Sequence, residues 1–181
     1  AWEMDVKAYA PGAYPAIKSD ARLTGLDGSE LKDYTVTLSE LTNTGAVLPD
    51  TTVYYKDINN AISDLNERST PSSKYEIGII GNVRLAGNEL NIQTYIRLEV
   101  KDGGVLTIAN GLQINNYGQI TVDSGGTVHK YGSIMNESAF IIRDGATFYN
   151  YGSALIDKRS IYGRNNIICK PHVYGDWKSA D

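Results

Sequence analysis

One cysteine, Cys169, is all that the sequence carries, so no internal disulfide framework is open to it. Two histidines, His129 and His172, lie far apart. Neither has a second His or Cys at zinc-ligand spacing, and no metal or other cofactor is expected. Positive charge is not in surplus: 17 Lys and Arg against 21 Asp and Glu give a net charge of -4. That balance offers no basic field for nucleic acid or for an anionic membrane surface. No apolar run approaches the length of a membrane span, so membrane insertion is not expected, and no stretch reads as a signal peptide. Phenylalanine and tryptophan are scarce, two of each, whereas tyrosine reaches 13. Tyrosine suits strand surfaces that keep a polar tip while offering flat contact area. Long 3.6-residue periodicity is missing after residue 70, which argues against a helical repeat.

What is present is a repeat. The stretch TVHKYGSIMNESAFIIRDGATFYNYG, residues 127–152, returns to Thr, an apolar residue, two further positions and Tyr-Gly. Apolar residues outside it keep step. Leu85, Leu106, Val128, Phe148 and Ile168 follow at 21, 22, 20 and 20 residues. Ile77, Leu98, Ile120 and Phe140 form a second series, and Ile79, Val100, Val122 and Ile142 a third, two residues displaced from the second. Two residues is the side-chain repeat of a strand, so each such pair reads as the inward face of a short strand. A looser fourth series is Ile92, Ile114, Met135 and Leu155.

Gly81-Asn82, Asp102-Gly103-Gly104, Ser124-Gly125-Gly126 and Asp144-Gly145-Ala146 mark one corner. Gly87-Asn88, Asn110-Gly111, Tyr131-Gly132 and Tyr151-Gly152 mark another, the glycines being read as residues that tolerate positive φ. A coil of about 20 to 22 residues that returns above its own start is a β-solenoid. An antiparallel sandwich is the competing arrangement, but it has no need to hold apolar register over several turns.

The fold class expected is therefore all-β: a short parallel β-helix of four to five coils with an N-terminal capping helix. Residues 75–175 form the coils and 176–181 a tail. Residues 53–74 hold the cap and a linker, since Ile58, Ala61, Ile62 and Leu65 fall on one helical stripe, with Asp57 as N-cap and Pro71 beyond the end. Such a helix would cover the apolar opening and free strand edges of the first coil. Residues 1–52 lack a clear period and read as an extended or junction segment with one strand around Tyr34, Val36 and Leu38. The start at Ala1 leaves open a removed leader or a longer parent chain.

A short helix DINNAISDLN followed by stacked coils rich in Gly, Asn and Tyr resembles the right-handed parallel β-helix class, which includes pectate-lyase-like proteins, phage tailspikes and fibres, and bacterial surface adhesins. The resemblance is architectural and spans roughly residues 53–175. It implies a scaffold that either cleaves polysaccharide or builds and displays a fibre.

A polysaccharide-cleaving member should show converging carboxylates. Lys101, Asp123 and Arg143 occupy one outward position and read as a surface ion ladder. Asp102, Ser124 and Asp144 occupy the next. Carboxylates two coils apart would stand about 9 to 10 Å from each other, at the far edge of an inverting glycosidase pair, but the same residues are ordinary turn formers. No catalytic residue is assigned. The segment GNVRLAG lacks the spacing of a phosphate loop, and Asn136-Glu137-Ser138 matches a glycosylation acceptor pattern of low specificity.

His129, Tyr131, Tyr149 and Tyr151 fall on two neighbouring columns, either as cross-strand stacking or as a platform for a sugar ring or another subunit. With Tyr174 and Trp177 near the C-terminus, they are the expected contact residues. The expectation is a non-enzymatic structural or attachment module of a viral fibre or bacterial surface assembly, on a virion or at a cell surface. It would associate as a homo-oligomer, by resemblance a trimer. The alternative is a carbohydrate-binding or polysaccharide-cleaving domain with a cell-surface glycan as partner.

Overall fold

The computed structural model describes residues 14–15, 33–151 and 161–169. The chain is a parallel β-solenoid of about four turns, with one α-helix among the described residues, near its N-terminal end. Three sheets form its sides. The first is built by β4 (Lys74–Ile79), β7 (Ile96–Val100), β10 (Gln119–Val122), β13 (Ala139–Ile142) and β15 (Ile161–Tyr162). The second holds β5 (Asn82–Leu85), β8 (Val105–Ile108), β11 (Thr127–Lys130), β14 (Thr147–Asn150) and β16 (Ile167–Cys169). The third holds β6 (Glu89–Ile92), β9 (Gln113–Asn116) and β12 (Ser133–Asn136). Every pair within these groups is parallel, with each strand over its equivalent one coil away.

Period-two alternation supplies the core. Ile77, Leu98, Ile120 and Phe140 stack in register, as do Ile79, Val100, Val122 and Ile142, and all eight are buried. The second sheet corrects the expected first column at both ends. Its members are Val83, Leu106, Val128, Phe148 and Ile167, separated by 23, 22, 20 and 19 residues. Leu85 instead lies over Ile108. A two-residue slip keeps a side chain on the same face, so Leu85 is still inside; a one-residue slip reverses it, and Ile168 is exposed.

The fourth series is also corrected. Leu90, Ile114 and Ile134 form the inward column, while Ile92 aligns with Asn116 and Asn136 and Met135 with Asn115. Leu155 lies outside the described residues. Asn116 and Asn136 occupy inward positions, which an apolar pattern does not mark.

The corners use glycine for two reasons. Gly103, Gly125 and Gly145 hold left-handed backbone with φ of 82°, 84° and 87°, which favours glycine. Gly118 and Gly132 do not, contrary to the expectation for Tyr131-Gly132. Their requirement is space: a Cβ on Gly118 would stand 2.1 Å from the Gln93 carbonyl oxygen, and one on Gly132 would stand 2.3 Å from that of Leu112.

The N-terminal edge of the first sheet is closed by antiparallel pairing. β2 (Val36–Leu41) runs against β4, β3 (Val53–Tyr55) against β2, and β1 (Tyr14–Pro15) against β3. Val36 faces Ile79 and Leu38 faces Ile77, so two inner columns extend one strand beyond the first coil. The helix α1 (Ile58–Arg68) begins at Asp57, whose Oδ1 accepts the Asn59 amide at 2.8 Å. Ile58, Ala61 and Leu65 are buried, and Ile62 packs against the core from a half-buried position. Tyr55 Oη donates to buried Asp64 at 2.6 Å, fixing the helix to β3. A cavity of about 390 Å³ remains between Ile58, Ile62 and Leu65 of the helix, Ile77 and Leu90 of the first coil and Ile96 of the second.

Ile62→Asp puts a carboxylate against this apolar opening. A loss of about 2 kcal/mol or more is expected, with growth of associated species from the uncovered end. Denaturant unfolding and light scattering check it; unchanged stability together with unchanged mass would remove the capping role.

Candidate functional site

Parallel register brings the predicted aromatic residues together. On the second sheet the outward column runs Arg84, Thr107, His129, Tyr149 and Ile168. Tyr131 and Tyr151 lie immediately after β11 and β14, and the Tyr151 amide donates to the Lys130 carbonyl at 2.8 Å, holding the two corners in step. The His129 and Tyr149 rings stack with centroids 5.2 Å apart and planes 15° from parallel. Tyr131 and Tyr151 stack at 4.5 Å and 7°. The two stacks touch: His129 is 5.9 Å from Tyr151, and its Nδ1 is 3.3 Å from the Tyr151 hydroxyl oxygen.

All four side chains are half-buried, so each ring packs on its neighbours and still meets solvent. Cross-strand aromatic pairs of this kind contribute about 0.2 to 1 kcal/mol each. The Tyr151 phenol is pushed above its ordinary pKa, first by burial and then by the neighbouring phenols of Tyr131 and Tyr149. Tyr151 therefore stays uncharged at neutral pH. The cluster can offer flat ring faces and hydroxyl groups that both donate and accept. Exposed Ile168 follows Tyr149 in the same column and prolongs the apolar part of this face. Tyr174, Trp177 and His172 lie outside the described residues.

The outward ion positions divide. Arg143 Nε meets Asp123 Oδ1 at 3.4 Å on the surface, as a ladder requires. Lys101 turns instead to Glu76 at 2.7 Å and Glu99 at 2.8 Å. Glu76 is buried and also receives the Arg97 guanidinium, which donates in addition to the Gly45 carbonyl at 2.8 Å. Burial acts to lower the Lys101 pKa, but its bonds to Glu76 and Glu99 outweigh that, and the net shift is upward. One pattern in the sequence marks this network: Glu76 lies on β4, and Arg97, Glu99 and Lys101 follow at two-residue steps on and just after β7. The turn at 42–46 that supplies the Gly45 carbonyl had no such signal.

Asp102, Ser124 and Asp144 sit at successive corners, where Gly103 donates to the Gly125 carbonyl and Gly125 to the Gly145 carbonyl, each at 3.0 Å. Asp144 accepts from Asn166 Nδ2 at 3.3 Å. These contacts are those of turn residues. Among the described residues no group of three or more His, Cys, Asp or Glu is placed to hold a metal ion, and no helix is long and apolar enough to cross a membrane. Asn136 is fully buried and accepts from Asn116 at 2.7 Å, so its side chain faces the core instead of a glycosylating enzyme.

Comparison with protein-family models, with curated proteins and with solved structures finds no match to any of them.

Proposed function

We propose that the chain is a non-enzymatic structural or attachment module, in which the solenoid is a stiff rod and the stacked His129, Tyr131, Tyr149 and Tyr151 face is its contact surface. The observation that supports this reading is the ring ladder itself. Four aromatic groups on and just after two adjacent parallel strands are held in nearly common orientation by backbone register, so little side-chain entropy remains to be lost when a partner arrives. Tyrosine-rich surfaces of this kind serve as anchors in protein interfaces. The partner favoured is a second copy of the chain in a closed homo-oligomer, a trimer by the resemblance to β-helical fibres, in a viral or bacterial surface assembly. The outward column from half-buried Tyr149 to exposed Ile168 supports contact near the C-terminal coils. The same ring faces also suit a pyranose ring, which keeps a carbohydrate-binding module as the second reading.

Analytical ultracentrifugation at high micromolar concentration tests the proposal. The wild-type chain is expected to sediment as an oligomer, and Tyr131→Ala with Tyr151→Ala to weaken association by about 30-fold or more, the effect of losing a hot spot. Trp177→Ala, assayed beside it, reports whether the C-terminal aromatics share the contact. A monomeric wild type would remove the oligomer. Glycan binding by a monomeric wild type, abolished in the tyrosine variant, would establish the carbohydrate reading in its place.

A further inference from the structure

The last inner column of the second sheet changes chemistry along the stack. It reads Leu85, Ile108, Lys130, Asn150 and Cys169, one residue per coil in register. Lys130 is fully buried and Asn150 is 1% exposed. The lysine Nζ donates to Asn150 Oδ1 at 3.0 Å.

Burial drives the Lys130 pKa from 10.5 to about 8, with the charge of nearby Cys169 acting in the opposite direction. An appreciable share of the amine is thus unprotonated and nucleophilic under mildly alkaline conditions. Asn150 has its own unmet demand: its Nδ2 is buried and has no hydrogen-bond acceptor among the described residues. Buried polar groups normally find partners, so the Asn150 carboxamide nitrogen carries a cost that its release as ammonia would remove.

We propose that Lys130 and Asn150 condense into an intramolecular isopeptide bond that joins the third coil to the fourth. Both side chains project from paired strands, so the amine is held beside the carboxamide in a fixed orientation, the circumstance in which intramolecular attack gains most. The Nζ lone pair adds to Asn150 Cγ, the carbon bearing the oxygen it already contacts. That oxygen takes the negative charge of the tetrahedral intermediate. One proton passes from Nζ to Nδ2, the Cγ–Nδ2 bond breaks, and ammonia leaves as the carbonyl re-forms. The chain loses one nitrogen and three hydrogens, and neither oxidant nor cofactor is consumed. Cys169 follows Asn150 in the column, and its thiol can carry the proton between the two nitrogens.

Intact-mass spectrometry of the folded chain, before and after incubation above the amine's pKa, tests the bond. The expected mass is that of the sequence less one ammonia. A digest should then contain a branched peptide joining Lys130 to Asn150, uncleaved by trypsin at Lys130. Lys130→Arg and Asn150→Ala should each keep the full sequence mass. Cys169→Ala should form the bond more slowly by about 10-fold or more; an equal rate would remove the thiol from the step. A folded wild-type chain that keeps its full mass after incubation overturns the proposal. So does an ammonia loss that maps elsewhere, such as a succinimide at Asn110-Gly111.

Discussion

Phe148→Ala is expected to lower the free energy of unfolding by about 3 to 5 kcal/mol, measured by equilibrium denaturation. Phe148 is 1% exposed and stands between Val128 and Ile167 of the adjacent coils. Its ring lies 5.8 Å from that of Phe140, inclined at 59°, so this aromatic pair bridges the first and second sheets. Truncation removes the transfer energy of the ring and leaves a void that parallel strands, fixed by their ladder bonds on both sides, cannot close by collapse. Phe148→Leu keeps most of the volume and should cost less than about 1.5 kcal/mol. A loss below 1 kcal/mol for the alanine variant would be incompatible with this register.

Gly118→Ala is expected to cost about 3 kcal/mol, the upper part of the range for overpacking. Only one methyl is added. It would stand 2.1 Å and 2.2 Å from the carbonyl oxygens of Gln93 and Ile96, backbone atoms of the preceding coil that cannot turn aside as a long side chain would. The Gly118 amide also donates to buried Asn116 at 3.2 Å, so shifting the corner disturbs the inner asparagine pair. Gly103→Ala is the control. There the added methyl meets open space and the cost is that of left-handed backbone, about 1 to 2 kcal/mol. If the two variants unfold at the same denaturant concentration, coil-to-coil approach is not what selects glycine at position 118.

These two substitutions mark different levels of legibility. Phe148 was visible in the sequence because an apolar residue recurs beside turn residues at each coil. Gly118 was not, since a glycine that permits positive φ and one that admits a neighbouring backbone look the same in one dimension. The aromatic surface was legible for the same reason as the core: outward residues inherit the register of the inward ones, so His129 over Tyr149 follows once Val128 is over Phe148. Ile168 was misplaced because the last spacing shortens to 19 residues, and a shift of one position exchanges the faces of a strand.

Apolar pairs two residues apart, repeated at about 20 residues with turn formers between them, determined by themselves that the chain forms stacked short strands. The 3.6-residue stripe ending at Leu65 likewise determined the helix. Local periodicity and turn chemistry act over a few residues, and the sequence displays them directly. Only the tertiary structure decided which polar residues could lie inside. Lys130 finds Asn150, Asn116 finds Asn136, and Glu76 finds Arg97, each partner being 20 or 21 residues away on the next coil. Whether a polar side chain is tolerated in a core depends on the atom that meets it after folding. That atom comes from a neighbouring coil, as the closing strands of the first sheet come from a segment with no repeat at all.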